Sequence, residues 1–208
     1  MFCALPVGSY EQHGPHLPPT VDAEIAEHVA REVAERLGGV PLPPVYYTCS
    51  AEHSSYPQTI SVSCESFVPY IRDVLRSAAD KCLRVVVIVG HGGAWDAVSM
   101  VARQLNYEMG PRVMPVNLWA YIGARDHAGS DETSVYLAVG GRLAGRVVET
   151  CEGDARLMRY MRVDRISRSG VVGCLRESEV SAERGAEMLR RALERLLAEV
   201  GEFLRMQV

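Results

Sequence analysis

Lysine is nearly missing from this chain: among 22 lysines and arginines, Lys81 is the only lysine. Asparagine occurs only at positions 106 and 117. Few amides beside many Arg/Glu helical pairs fit a thermophile, and GC-rich coding would leave the same mark. Also absent is any apolar stretch of the ~18 residues that a membrane span needs. The opening "MFCALPVG" lacks the charged start and long apolar core of a secretion signal, so a cytoplasmic location is expected. A net charge of −4 gives no basic footprint and argues against nucleic acid as a partner. The six cysteines (Cys3, Cys49, Cys64, Cys82, Cys151, Cys174) form no CxxC pair, which argues against a structural cysteine zinc site. Free, buried thiols are the default expectation inside a cell, with pairing the alternative in a thermophile.

What is present suits one α/β domain over residues 1–208, long enough to bury a real core. "FCALPVG" reads as a buried strand, and Asp22 stands where the N-cap of the following helix belongs. In that helix Ile25, Val29, Val33 and Leu37 recur at helical spacing, and Gly38-Gly39 stop it. "VPLPPVYYT" is an extended segment whose prolines favour an edge. Residues 64–81 carry a second amphipathic helix, and "LRVVVIVG" is the clearest buried parallel strand. A helix over 94–109 leads to a strand around "RVMPVNLW", and "DETSVYLAVGGRLAG" opens another helix. Residues 145–177 read as loop with short strands, and a long amphipathic helix closes the chain. This alternation predicts a mostly parallel sheet with helices on both faces.

Open parallel sheets bind ligands beyond their C-terminal strand ends. Four polar clusters fall there: "GSYEQHGPH", "SAEHSSYPQT", "GHGGAWD" and "ARDHAGSDETS". In extended backbone Glu11 and His13 point to one side, Asp22 can return toward them, and His91 leaves the tip of the third strand. These O and N donors suit Zn²⁺, Mn²⁺ or Fe²⁺, and a carboxylate bridging two ions would make a binuclear hydrolytic site. His127 is placed as a proton carrier. Glu52 and His53 are divided between lining the site and a subunit contact, while His16 is structural and His28 a surface residue. A dinucleotide fingerprint in "VGHGGAWD" would need glycine where Trp95 stands, and no Walker lysine follows.

Taken together, "LPVGSYEQHGPHLPPTVD", "SAEHSSYPQTIS", "GHGG" and "HAGSDETS" resemble the creatininase family of metal-dependent amidohydrolases over residues 4–140. The resemblance implies two divalent ions per subunit: Glu11, Asp22 and His91 holding one, His13 and the bridging Asp22 the other. It implies hydrolysis of a small molecule's non-peptide amide C–N bond, with His127 protonating the departing nitrogen. A homo-oligomer, in many members a hexamer, is implied as well. Where creatinine-hydrolysing members carry an aromatic residue and a ligand glutamate, this chain has Gly92 and Gly93. Creatinine itself is therefore not expected; the second ion would need Glu132 or stay weakly held, and Glu132 stands with His127 as a catalytic candidate. An archaeal formamidopyrimidine-nucleotide deformylase is the favoured relative, with Arg125 as phosphate contact. Lactam hydrolysis, and a fold that binds without reacting, stand as alternatives; Val89, Ala94 and Ser130 replace usual family residues.

Overall fold

The β-branched run Arg84–Val89 becomes the central strand β3, with all six residues buried. The computed structural model describes residues 1–207. β1 (Phe2–Val7) flanks β3 on one side and β4 (Val113–Asn117) on the other, with the short β2 (Val40–Pro41) outside β1. Every pairing in this four-stranded sheet is parallel. Side chains alternate between its faces, as the period of two requires. Phe2, Ala4, Val86, Ile88 and Val116 meet helices α1 (Val21–Leu37), α5 (Ser130–Ala138) and α6 (Ala182–Arg205). Cys3, Leu5, Val85, Val87 and Val113 meet α2 (Cys64–Lys81) and α3 (Trp95–Met109) on the opposite side. Each fully buried valine or isoleucine contributes about 1.5–3 kcal/mol, so this doubly covered sheet anchors the rest.

Several local expectations change. Asp22 is not the N-cap: Thr20 holds that position, and Asp22 is the second residue of α1. Leu118 and Trp119, read as strand, open the short helix α4 (Leu118–Ile122), which Asn117 caps by accepting from the Ala120 N–H. α5 ends at Ala138, earlier than the sequence suggested. The 145–177 stretch holds the antiparallel pair β5 (Thr150–Glu152) and β6 (Gly173–Leu175). The cysteines are not free thiols; they pair as Cys3–Cys82, Cys49–Cys64 and Cys151–Cys174. Folding brings their Cα atoms to 5.9, 5.1 and 4.1 Å across separations of 79, 15 and 23 residues, which spacing alone could not reveal. Among the described residues no helix is long and apolar enough to cross a membrane.

The main strands finish level: Val7 lies opposite Val89, and Val89 opposite Asn117. Gly8 and Gly90 follow β1 and β3, and both press against the first turn of α1. A Cβ on Gly8 would strike the Ala23 backbone, and one on Gly90 the Asp22 carbonyl. Only glycine lets the helix start this close to the sheet edge, and that closeness fixes Asp22. Gly8→Ala is expected to destabilise the fold by about 1–3 kcal/mol, the usual cost of overpacking, and to weaken divalent-ion binding. Chemical denaturation and metal titration check this; unchanged values for both would contradict it.

Candidate metal centre

Beyond that level edge, seven ionisable side chains from four segments converge: Glu11, His13, Asp22, His53, His91, His127 and Glu132. Each is no more than 6% exposed. His91 follows β3 through Gly90, whose N–H donates to the Val7 carbonyl at 2.8 Å. Paired hydrogen bonds with Val172 hold His127, its N–H donating at 2.9 Å and its carbonyl accepting at 2.8 Å. Ala128 turns the chain into α5 with φ of 54°, a left-handed conformation uncommon outside glycine. Its N–H donates to the Glu132 carboxylate.

The expected set Glu11, Asp22 and His91 is brought together. His91 Nδ1 lies 3.2 Å from both Glu11 Oε2 and Asp22 Oδ2. His13 Nε2 lies 3.5 Å from Asp22 Oδ1 and 3.8 Å from Glu132 Oε1. Asp22 thus stands between the two histidines. His127 Nδ1 is 3.9 Å from Glu11 Oε1 and 4.0 Å from Glu132 Oε2. The other ring nitrogen of each histidine faces a backbone carbonyl: His13 toward Glu11 O at 2.9 Å, His91 toward Cys49 O at 3.0 Å, His127 toward Gln12 O at 2.9 Å. A carbonyl only accepts, so each of these nitrogens carries the hydrogen. The opposite nitrogen is left to face the carboxylates, the arrangement that orients imidazole ligands around a metal.

Electrostatics point the same way. Burial disfavours charge on His13, yet Glu132, Asp22 and Glu11 together outweigh it and lift its pKa to about 10. Burial is likewise overcome at His91, which Glu11 and Asp22 raise well above the ordinary value. Asp22 is driven far below its usual range, because His13 and His91 outweigh its desolvation. Glu132, pushed up by burial and by Asp22 and Asp126 against the pull of His13, reaches about 8. His127 falls to about 3 through burial and the His13 charge. Among the described residues no lysine or arginine pairs with these carboxylates. Glu11 Oε2 and His13 Nε2 have no hydrogen-bond partner although fully buried. Unpaired buried donors and acceptors are costly, and a cation among them removes the cost. The residues therefore fit divalent metal ions. Three groups of three donors lie within metal-binding reach: Glu11, Asp22 and His91; His13, His127 and Glu132; Glu11, His53 and His127.

The remaining expectations divide. His53 is fully buried, its Nε2 3.4 Å from Glu11 Oε1, so it lines the site from the turn Ala51–His53. Glu52 sits at the rim, 3.7 Å from His91 Nε2, its pKa raised mainly by burial. Its carboxylate occupies the space that a Cβ on Gly93 would need, while Gly92 faces open space. Arg125 is exposed and makes no hydrogen bond or ion pair among the described residues. His16 is a buried structural residue, with Nε2 2.9 Å from Thr133 Oγ1. Sequence reasoning missed Gln12, Ser9 and Asp126. Strict alternation would point Gln12 away from Glu11 and His13, yet its amide reaches His53 Nδ1 at 2.9 Å and His127 Nε2 at 3.0 Å. The segment is a turn rather than a strand, closing through a His13–Leu17 bridge with Gly14 at φ 64°. Ser9 donates to Asp22 Oδ2 at 2.9 Å and holds that carboxylate at the cluster. Asp126 accepts from the Asp131 N–H at 2.9 Å in the first turn of α5, five residues on and outside the usual local capping patterns.

A family model described as creatinine amidohydrolase matches residues 1–200. The chain belongs to the creatininase family. Among similar creatininase relatives is the mycofactocin precursor peptide peptidase of Mycobacterium ulcerans (strain Agy99). It is 39% identical over 144 residues, covering 65% of this chain and 57% of that protein. The 2-amino-5-formylamino-6-ribosylaminopyrimidin-4(3H)-one 5'-monophosphate deformylase of Methanobrevibacter ruminantium (strain ATCC 35063 / DSM 1093 / JCM 13430 / OCM 146 / M1) is 32% identical over 141 residues, covering 64% and 57%. The chain thus spans just over half the length of each of these two relatives. A crystal structure of creatinine amidohydrolase shares the fold, with a TM-score of 0.82 and 22% identity over 99% of this chain and 91% of that one.

The raised pKa of His13, His91 and Glu132 means that a bound ion displaces protons. Apparent divalent-ion affinity is expected to fall as pH drops, by about tenfold per pH unit for each proton displaced. The slope should be steepest below about pH 8, where Glu132 is also protonated, and should flatten toward about pH 10, where His13 loses its own proton. Zn²⁺ titration by calorimetry between pH 6 and about pH 9 measures this; pH-independent affinity would contradict it.

Proposed function

We propose that this chain is a binuclear metal-dependent hydrolase of amide C–N bonds. The observation that carries the reading is the shared orientation of His13, His91 and His127, each anchored to a backbone carbonyl and aimed at buried carboxylates. Glu11, Asp22 and His91 would hold one ion, and His13, Asp22 and Glu132 the other. Solved creatininases in Zn–Zn and Mn forms support these metals, with Fe²⁺ the third choice. A pair of such ions supplies carbonyl polarisation and acidification of water to neutral-pH reactivity.

The chain's own groups do the rest. His127 stands farther from the carboxylates than His91 does, so we assign it to proton transfer rather than ligation. Burial keeps it neutral, and Nδ1 is the bare nitrogen: it accepts the proton released as water adds and returns it to the departing nitrogen. Ser9 holds Asp22 between His13 and His91, where it would serve both ions, and Ala128 N–H fixes Glu132. Burial of the cluster excludes bulk water and strengthens every charge interaction within it.

The substrate reading moves from the sequence expectation. The relative named for peptide cleavage, at 39% identity, is more similar than the deformylase, at 32%. A short peptide amide is therefore the first substrate class, and a formamidopyrimidine nucleotide the second. We also propose that the chain forms a homo-oligomer, as its family resemblance implies. A panel of short peptides, formamidopyrimidine nucleotide, creatinine and lactams, with Zn²⁺, Mn²⁺ and Fe²⁺, tests the activity. Metal-dependent amide hydrolysis is expected, with His91→Ala losing bound ion and turnover together. His127→Ala should keep its ions and lose about 10²–10⁴-fold in kcat. A panel without turnover, or full activity in His91→Ala, would contradict the proposal.

A further inference from the structure

His53 has the spacing of a third metal ligand toward Glu11 and His127, but its hydrogen bonds assign it another task. Gln12 fixes that task. Gln12 Oε1 accepts from the Gly14 N–H at 2.9 Å, and Gln12 Nε2 donates to the Gly170 carbonyl at 3.1 Å. A backbone N–H only donates and a carbonyl only accepts, so the amide cannot be flipped. Gly170, at φ 85°, comes so close that a Cβ there would strike the Gln12 amide. Nε2 is therefore the atom facing both imidazoles, 2.9 Å from His53 Nδ1 and 3.0 Å from His127 Nε2.

The amide nitrogen has two hydrogens, and Gly170 takes one. His127 Nε2 must itself donate to the Gln12 carbonyl at 2.9 Å, so it cannot accept the other. That hydrogen goes to His53 Nδ1, which has to be bare. A doubly protonated ring would set N–H against N–H there, so His53 is neutral and carries its hydrogen on Nε2. That N–H points into the cluster, 3.4 Å from Glu11 Oε1, fully buried and without a hydrogen-bond partner. A nitrogen bearing hydrogen offers no lone pair to a cation. An unused buried donor beside the carboxylates serves an acceptor that arrives with the ligand.

We infer that His53 is the site's hydrogen-bond donor to a carbonyl or carboxylate oxygen of substrate and product, and that Gln12 is the positioning residue that locks it as an Nε2–H donor. As a statement about amide hydrolysis this rests on the reading above. The donor meets the carbonyl oxygen as negative charge develops on it, and the product carboxylate afterwards.

The experiment needs no turnover, so an inert substrate panel and a failure here are separate results. Long-range proton–nitrogen NMR of the ¹⁵N-labelled, Zn²⁺-loaded full chain reads the His53 tautomer, with acetate as the probe for a product carboxylate. Expected are a bare Nδ1, a protonated Nε2, and an Nε2–H resonance that moves on adding acetate. His53→Phe should weaken acetate binding about tenfold, the worth of one such hydrogen bond, while leaving Zn²⁺ stoichiometry unchanged. Gln12→Glu places an acceptor against Nδ1 and should shift the hydrogen to that nitrogen. Gln12→Met, which removes the donor, should leave the two tautomers mixed if the glutamate variant does not fold. A wild-type hydrogen on Nδ1, a resonance indifferent to acetate, or loss of Zn²⁺ in His53→Phe would each overturn the inference. The last of these would make His53 a ligand or a support for Glu11.

Discussion

Three carboxylates, Glu11, Asp22 and Glu132, are buried together with histidines as their only ionic partners among the described residues. Removing a carboxylate from water costs several kcal/mol, and imidazoles repay it only by holding protons. The raised pKa of His13 and His91 is that repayment, made in positive charge drawn from solvent. Divalent cations repay it better, because they satisfy the unpartnered Glu11 Oε2 and His13 Nε2 at once. Much of the surrounding architecture makes sense as the means of holding this unfavourable charge in place.

The sheet provides the platform and the loops provide the aim. Level strand ends deliver Glu11 and His91 to one edge, and two glycines let α1 bring Asp22 between them. The β5–β6 region contributes less chemistry than support. Val172 pins His127, Gly170 pins Gln12, and Tyr56 donates to the Ser167 carbonyl at 3.0 Å, joining the same loop to the turn that carries His53. Disulfide Cys49–Cys64 ties down the segment whose carbonyl orients His91. Support therefore comes from parts of the chain that carry no ligand themselves.

The sheet was legible because strands buried on both faces read as continuous apolar runs, while the helices between them repeat apolar residues at helical spacing. The sheet-edge rule then placed four polar clusters together, and Glu11, His13, Asp22, His91, His127 and Glu132 all arrive there. Three things escaped the sequence. Gln12 faces the cluster because a turn breaks the alternation that would have pointed it away. Cysteine pairing depends on contacts up to 79 residues apart. The division of histidines between lone-pair and N–H roles depends on which carbonyl each one meets, a feature that exists only after folding.

The central claim is that the carboxylate–imidazole cluster is a two-ion site. Anomalous diffraction at the zinc and manganese edges, from crystals grown with each metal, tests it most directly. Two peaks are expected, one among Glu11, Asp22 and His91, the other among His13, Asp22 and Glu132, with none against His53 Nε2. A cluster without anomalous density at saturating metal, or ions bound elsewhere with Asp22 left uncoordinated, would contradict the account.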